Sequence, residues 1–348
     1  MTRKQRIFLG YLAGVVGILS WWVASQRVQV TWWVSGDQIV YSPTPEEITV
    51  QLWNIQPVTG ALWIGPGTLP DFLETLWWVR SHLWLETYDF TEKSVKNLFI
   101  KLLNNDVNIH LIMENQKYQQ FKSTRKEIQA LFSWYSGFEI KGDKQMKTEY
   151  VHSKFAVWNS GVLIQTSNLN KSSFVGNREY IFFTENTGII ASLSGIFYKD
   201  RAGFPLLKSD IHPNLAVCPI NCRGIIEHLI SSARSSIMIQ NQYIEDPTVL
   251  SLIQEKQQSL WISNVKIQLS KTSTNEQLLP VFGKSLHLFS KPYLHAKMLL
   301  IDEKLLLLSS INLSSNSMDN NREMGILLTD PIVIREFIEQ FRKDWKLR

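Results

Sequence analysis

The sequence predicts an α/β protein made of two similar mixed α/β sandwich lobes, preceded by an N-terminal transmembrane helix. Three observations support this prediction. A short motif with one order of residue types occurs twice, strand and helix patterns alternate before each copy, and an uncharged apolar segment lies near the N-terminus. The chain of 348 residues is long for one domain and accommodates two lobes of about 150 residues each.

Residues 7–26 are apolar and carry no formal charge. At 1.5 Å per residue, a helix of this length just spans a hydrocarbon core of about 30 Å. The basic residues before it predict a cytoplasmic N-terminus and a catalytic body on the opposite, periplasmic or extracytoplasmic side of the membrane. A cleaved signal peptide is the alternative, but Trp22 occupies a position where a peptidase site after Ala24 needs a small residue.

The chain divides into four parts. We predict that residues 1–27 form the cytoplasmic tip and anchor, and that residues 28–75 form an irregular lead-in of short strands and loops, because prolines and glycines interrupt every pattern there. The first lobe is expected at residues 76–200 and the second lobe at residues 201–348. Three prolines argue against one continuous helix across residues 186–222.

Strand and helix patterns repeat in each lobe. Apolar periodicity predicts helices at 70–79, 92–104, 223–233, 248–257 and 332–345, and strands at 81–90, 107–113, 235–244 and 265–269. Such alternation is typical of a mixed α/β sandwich.

Net charge weighs against a nucleic-acid partner. The chain has 36 basic and 31 acidic residues, but four of the basic residues lie in the first 27 positions, where there is no acid. The rest of the chain, with 32 bases against 31 acids, is nearly neutral. Non-specific binding to nucleic acid depends on many uncompensated lysines and arginines, so a nucleic-acid substrate is possible but less favoured.

The second copy of the motif lies at residues 294–325. His295 and Lys297 are two positions apart, so on a strand their side chains share one face and can meet one phosphate. Two apolar strands follow, with Asp302 in the polar turn between them, and the second strand brings Ser310 and Asn312 back near the first.

The first copy, at residues 151–180, has the same order. His152 and Lys154 precede an apolar strand, Asn159 lies in the turn, and Ser167 and Asn168 follow the next strand. One residue is missing relative to the second copy, most simply at the Asn159-Ser160-Gly161 turn. A duplicated phosphate site is therefore predicted, with its two halves in one chain, so that a monomer can complete it.

These residues resemble the HKD signature of the phospholipase D superfamily, which includes cardiolipin synthase-like proteins. The second copy fits with Ser309 in place of the usual Gly; the first has Asn159 in place of Asp and Gln165 to Asn168 in place of Gly-Ser-x-Asn. The resemblance covers roughly residues 75–345. It implies a metal-independent phosphodiesterase without a cofactor, in which Asp302 and Asn159 are structural.

Residue roles follow from the chemistry and from the resemblance. One imidazole can attack phosphorus to give a phosphohistidine while the other protonates the leaving alkoxide; the resemblance favours His152 as nucleophile and His295 as acid and base. Lysines and asparagines would hold the non-bridging oxygens, and Ser167 and Ser310 would either bind phosphate or cap strand ends. Glu179 and Glu323 resemble the acids that orient a family histidine, with a surface or ion-paired glutamate as the alternative. The full catalytic set is His152, His295, Lys154, Lys297, Asn168, Asn312, Glu179 and Glu323.

Cys218 and Cys222 are the two cysteines of the chain. They cannot complete a four-ligand zinc site, and no catalytic motif surrounds them. Free thiols are the favoured interpretation, and a local disulfide is the alternative.

Three functions remain open at this point. A membrane-anchored phospholipase D-like phosphodiesterase or phosphatidyltransferase with a phospholipid substrate is favoured, because the anchor would hold the site beside lipid. A metal-independent nuclease of the same superfamily is the alternative enzyme. Asn159 and the altered 165–168 segment also permit a catalytically silent scaffold.

Overall fold

The computed structural model describes residues 32–35, 38–41, 44–114, 119–142, 144–259 and 264–347. The anchor expected at residues 7–26 lies outside these ranges. Within them, no helix is long and apolar enough to cross a membrane.

The first half of the chain contains one sheet of seven strands. Strands β1 (Trp32–Ser35) and β2 (Gln38–Tyr41) pair with each other and stand apart from it. The strands that follow are β3 (Ala61–Ile64), β4 (His82–Thr87), β5 (Asn108–Met113), β6 (Phe138–Lys141), β7 (Phe155–Trp158), β8 (Gly161–Gln165), β9 (Asn177–Arg178) and β10 (Tyr180–Thr184). The sheet order is β3-β10-β8-β7-β4-β5-β6, with β4, β5 and β6 parallel and the other neighbours antiparallel.

The second half repeats this arrangement. Its strands are β11 (Leu215–Cys218), β12 (Ser236–Asn241), β13 (Asn264–Ser270), β14 (Leu286–Phe289), β15 (Tyr293–Leu294), β16 (Lys297–Ile301), β17 (Leu305–Ser309) and β18 (Glu323–Leu328). The sheet order is β11-β18-β17-β16-β12-β13-β14, again with three parallel strands at one side. The predicted pair of mixed α/β lobes is present, with a seven-stranded sheet in each.

Helices cover these sheets. In the first half they are α1 (Pro45–Trp53), α2 (Leu69–Trp77), α3 (Lys93–Leu103), α4 (Gln119–Phe132), α5 (Lys171–Val175) and α6 (Thr187–Ala202). In the second half they are α7 (Cys222–Ser232), α8 (Pro247–Gln258), α9 (Ser273–Glu276), α10 (Leu279–Phe282), α11 (Ser315–Asp319) and α12 (Pro331–Trp345). Polar caps fix several boundaries: Glu92 accepts a hydrogen bond from Ser94 N at 3.0 Å before α3, and Asp330 accepts one from Ile332 N at 2.8 Å before α12.

The two sheets share a central core. Alternate residues of each buried strand point to opposite faces. In β17, Leu306 and Leu308 belong to the core between the lobes, whereas Leu307 belongs to the outer core of the second lobe. Buried faces of α6 and α12 contribute to the central core, so these two helices lie between the sheets.

The lead-in predicted at residues 28–75 is wrong in part, because it is more ordered than expected. Short strands are present, but β3 is an edge strand of the first sheet and α1 packs on the second lobe, where Ile48 is buried. Pro45 begins α1 as its first residue, after a capping box between Thr44 and Glu47. Proline at this position favours a helix start, whereas the sequence interpretation treated it as a breaker.

Two further expectations concern the crossover between the lobes. Residues 186–222 form α6, a loop and β11, so the prolines do interrupt a continuous helix, as predicted. The preference for free thiols was wrong: Cys218 and Cys222 form a disulfide, with their Cα atoms 5.1 Å apart. Both cysteines are fully buried, at the end of β11 and the start of α7. That placement brings two residues four positions apart within bonding reach.

Candidate active site

Each lobe presents its His-x-Lys segment at the boundary between the two sheets. The backbone N–H of His152 donates to the Arg322 carbonyl at 2.8 Å, and the N–H of His295 donates to the Arg178 carbonyl at 3.1 Å. The short strand β15 also pairs with β9 of the other lobe. These reciprocal contacts bring the two copies of the motif together around one approximate twofold axis.

Each histidine is bound by a glutamate from the opposite lobe. His152 Nδ1 lies 2.8 Å from Glu323 Oε2, and His295 Nδ1 lies 2.7 Å from Glu179 Oε1. Both glutamates are fully buried. The sequence analysis predicted that these glutamates orient histidines, but it did not predict that the pairs cross between the lobes.

Burial sets the protonation of the histidines. Desolvation lowers the pKa of His152 to about 4, although Glu323 opposes this shift, and it also lowers the pKa of His295. Burial alone would raise the pKa of Glu323, but the interactions with His152, Lys154 and Ser310 together outweigh burial, and the net pKa is lowered. A neutral imidazole therefore donates a hydrogen bond from its Nδ1–H to an ionised glutamate, which leaves an unprotonated Nε2 as a nucleophile.

The two motif lysines lie close enough to affect each other. Lys154 Nζ donates to the His152 carbonyl and Lys297 Nζ donates to the His295 carbonyl, each at 2.6 Å. Desolvation, with repulsion from Lys297, lowers the pKa of Lys154 to about 7, and desolvation lowers the pKa of Lys297 to about 8. Each ammonium group has three donors, of which the carbonyl uses one, so the others can bind an anion such as phosphate.

In each copy of the motif, a hydroxyl side chain that directly follows the second strand donates a hydrogen bond to one of these glutamates. Ser310 Oγ donates to Glu323 Oε2 at 2.5 Å, and Thr166 Oγ1 donates to Glu179 Oε2 at 2.6 Å. Ser167, for which phosphate binding and strand capping are the two predicted alternatives, is fully buried and donates to Gln165 Oε1 at 3.2 Å. Thr166 is therefore the counterpart of Ser310, and counting back two positions from each motif asparagine identifies it.

The two motif asparagines retain free acceptor atoms. Within the described residues, the Oδ1 atoms of Asn168 and Asn312 are buried and have no hydrogen-bond partner. The Asn312 side chain is also hydrogen-bonded to Tyr243. Burial raises the pKa of Tyr243 to about 12. These two Oδ1 atoms therefore have hydrogen-bonding capacity that a ligand or water can use.

In each copy, a side chain in the turn between the two motif strands accepts hydrogen bonds from residues at the start of a neighbouring strand. Asp302 accepts hydrogen bonds from the backbone N–H groups of Arg234, Ser235 and Ser236, at 2.7–3.1 Å. Asn159 occupies the corresponding turn and accepts from Ser81 Oγ at 2.9 Å. The turn of the first copy is one residue shorter, as predicted: Trp158 pairs with Gly161, whereas Ile301 pairs with Leu305. Both side chains therefore bond to residues at the start of a neighbouring strand, and their structural role stays a prediction.

We expect the Asp302→Ala variant to lose stability rather than activity. Three backbone donors and the Ser235 hydroxyl lose their acceptor, so the free energy of unfolding should fall by about 1–3 kcal/mol. Asn159→Ala, which removes the hydrogen bond from Ser81 Oγ, is the matched control and should cost less. Urea unfolding measures both effects; a large fall in kcat per folded Asp302→Ala molecule would contradict the structural role.

A polar cavity of about 450 Å³ opens beside His152. Its walls include Tyr88, Tyr150 and Tyr243, together with Asn312 and the polar residues 314–317, where α11 begins. The Tyr88 ring meets His152 edge-on with 4.8 Å between ring centroids, and Lys154 Nζ lies 5.7 Å from the Tyr88 ring centroid. The sequence analysis did not identify these tyrosines, because they lie outside the repeated motif residues and have no regular spacing relative to them.

This geometry provides the groups that phosphoryl transfer requires. Two neutral imidazoles, each oriented by a carboxylate, share a site with two ammonium groups and two amide side chains. A family model described as the PLD-like domain of cardiolipin synthase matches residues 74–201 and 226–345. The chain belongs to this family.

Individual relatives of the family match shorter segments. The mitochondrial cardiolipin hydrolase of Mus musculus is 33% identical over 54 residues, which is 16% of this chain and 24% of the mouse protein. The same protein of Canis lupus familiaris is also 33% identical over 54 residues, 21% of its length. The chain therefore aligns with about a quarter of these curated relatives.

Solved structures match over most of the chain and show the fold. Phosphatidylserine synthase of Haemophilus influenzae superposes with a TM-score of 0.63 at 13% identity, covering 86% of this chain and 90% of that protein. Polyphosphate kinase of Porphyromonas gingivalis superposes with a TM-score of 0.62 at 15% identity, covering 83% of this chain and 51% of the kinase. Because proteins with different names share this phospholipase D-like fold, the reaction is argued from the site.

Proposed function

We propose that the protein is a membrane-anchored phospholipase D-type phosphodiesterase or phosphatidyltransferase that acts on phospholipid through a phosphohistidine. The observation that carries this proposal is the crossed pairing of His152 with Glu323 and of His295 with Glu179. It places two oriented imidazoles and two lysines at one site. Family membership, together with the names of a similar sequence, a cardiolipin hydrolase, and of a similar structure, a phosphatidylserine synthase, supports a phospholipid substrate.

The first half of the reaction transfers the phosphatidyl group to the enzyme. The lone pair on His152 Nε2 attacks phosphorus and forms a P–N bond, while the P–O bond to the leaving group breaks. His295, in its protonated form, donates its Nε2 proton to the departing alkoxide. The negative phosphate favours this protonated form, and Lys154 and Lys297 stabilise the charge that develops on the non-bridging oxygens.

The second half releases the phosphatidyl group to an acceptor. The oxygen of water or of an alcohol attacks phosphorus, and His295 takes the acceptor's proton. The P–N bond breaks and its electron pair returns to His152 Nε2. Water as acceptor gives hydrolysis, and an alcohol gives a new phosphodiester. The same residues thus serve both a hydrolase and a phosphatidyltransferase.

Topology is part of the proposal. The uncharged segment at residues 7–26 is proposed to anchor the chain with its basic N-terminus in the cytoplasm and its catalytic body on the other side. The disulfide between Cys218 and Cys222 supports a body in an oxidising compartment. The near-neutral charge of residues 28–348 supports lipid over nucleic acid.

The test compares substrates for the full chain in detergent and chelator. Mixed vesicles of phosphatidylglycerol and phosphatidylcholine are offered in parallel with single- and double-stranded DNA. Headgroup release, or a new phosphatidyl ester when glycerol is added, is expected. Cleavage of DNA with intact lipid would replace the proposal with a nuclease, and no turnover of either substrate would favour a silent scaffold.

The pH profile of kcat/KM should follow the lysines and the nucleophilic histidine. Phosphate binding needs charged lysines, so kcat/KM is expected to fall above about pH 7, where Lys154 begins to lose its proton. Nucleophilic attack needs neutral His152, so kcat/KM should also fall below about pH 4. Rates with a soluble p-nitrophenyl phosphodiester across this range measure both limits.

Lys154→Arg is the diagnostic variant for the alkaline limit. Arginine keeps its charge at all these pH values, so the limit should move up to about pH 8, set by Lys297. An alkaline limit that stays near pH 7 in this variant would show that another group controls it.

A further inference from the structure

A buried ion pair lies behind each half of the site. Arg322 Nη2 donates to Asp200 Oδ1 at 3.0 Å in one copy, and Arg178 Nε and Nη2 donate to Asp344 at 2.8 and 2.9 Å in the other. Each arginine also donates to a carbonyl at the end of an edge strand, Cys218 O in the first case and Gly65 O in the second. The two clusters are therefore related by the same approximate twofold axis as the motifs.

The third member of the cluster differs between the copies. Gln240 pairs with Met298 in the sheet and Glu86 pairs with Phe155, and each of these partners directly follows a motif lysine. Gln240 Nε2 donates to Asp344 Oδ2 at 3.0 Å. Glu86 occupies the same place beside Asp200, as a carboxyl group instead of an amide.

An ionised Glu86 would leave this cluster one donor short. Glu86 Oε2 already accepts from Ser153 Oγ. Within the described residues, Glu86 Oε1 and Asp200 Oδ2 are buried without a hydrogen-bond partner, although the two carboxyl groups are neighbours. Two acceptors that face each other without a hydrogen atom repel, whereas one proton between them satisfies both.

The balance of charges around Glu86 also favours its protonated form. Asp200 and Arg322 are the charged groups that act on Glu86, so two ionised acids would share one cation. Glu86 and Asp200 have exposed fractions of 1% and 2%, and an uncompensated charge at this depth is strongly unfavourable. Burial, and then the charge of Asp200, raise the pKa of Glu86 well above its ordinary value.

We propose that Glu86 and Asp200 form a buried proton-binding site in which Glu86 stays protonated and donates to Asp200. Protonated Glu86 then donates a hydrogen bond to Asp200, as the Gln240 amide donates one to Asp344 in the other lobe. This inference concerns the folded protein and is independent of the substrate.

Glu86→Gln is the direct test, because glutamine can accept from the Ser153 hydroxyl and donate to Asp200 without a titrating proton. In the unfolded chain Glu86 ionises above about pH 4.3, whereas the folded protein keeps its proton. Wild-type stability should therefore fall with rising pH relative to the variant, by about tenfold in the unfolding equilibrium constant per pH unit above pH 4.3. Urea unfolding of both proteins across pH measures this ratio.

An infrared difference spectrum of wild type minus Glu86→Gln near neutral pH provides a second readout. A carbonyl band of a protonated carboxylic acid is expected in wild type and absent in the variant. Gln240→Glu, the mirror substitution, should add a second pH-dependent loss of stability. A pH-independent stability difference, a carboxylate band in place of the acid band, or a Glu86→Gln protein that does not fold would each overturn the proposal.

Discussion

Replacing His152 or His295 with alanine is expected to reduce phospholipid turnover by at least about a thousandfold. His152→Ala removes the proposed nucleophile, and His295→Ala removes the group that protonates the leaving alkoxide. His110→Ala is the matched control, since His110 also bonds a glutamate, Glu139 at 3.0 Å, but lies outside the site. Initial rates on vesicles, normalised to folded protein, measure the effect.

A substrate with a good leaving group distinguishes the roles of the two histidines. p-Nitrophenolate departs without a proton, so His295→Ala should recover much of its first-step rate with a p-nitrophenyl phosphodiester, while His152→Ala should not. Recovery by His152→Ala instead would reverse the two roles. Near wild-type rates in both variants would remove the two-histidine mechanism altogether.

Replacing Glu323 or Glu179 with glutamine is expected to lower kcat by about 10²–10⁴-fold, because an amide no longer holds the Nδ1 proton and the histidine can adopt the wrong tautomer. Glu139→Gln, beside His110, is the matched control and should leave kcat unchanged. Steady-state kinetics on one soluble substrate measure all three variants under the same conditions.

Double variants test which glutamate serves which histidine. The crossed contacts predict that Glu323→Gln adds little to His152→Ala but adds further loss to His295→Ala, and that Glu179→Gln shows the opposite pattern. If each glutamate proves coupled to the histidine of its own motif copy, the crossed arrangement is not the active one.

The duplicated motif could be predicted because its residues lie close in sequence on two strands and a turn. The period of two on a strand placed His295 beside Lys297, and the shorter turn at Asn159 followed from residue counting alone. Strand and helix positions also followed from apolar periodicity. For example, the helix predicted at 92–104 is α3, whose capping residues are Glu92 and Asn104.

The crossed His–Glu pairs could not be predicted, because they join residues from different lobes, more than a hundred positions apart. Each motif copy contains a histidine and a glutamate, so either pairing fits the sequence. Only the approach of the two sheets selects one of them. The buried pair of Glu86 and Asp200 was missed because its members lie more than a hundred positions apart within the first lobe, and they become neighbours only where α6 packs beside β4.

The most direct test of the two-histidine mechanism is to trap the covalent intermediate. His295→Ala is mixed with a p-nitrophenyl phosphodiester in chelator and quenched in alkaline denaturant, and peptides are examined by mass spectrometry. Since this variant lacks the base for the second step, a phosphoryl adduct on His152 is expected to accumulate with a burst of p-nitrophenol, and to be absent from the His152→Ala/His295→Ala double variant. A burst of product without any adduct on His152 would contradict the proposed mechanism.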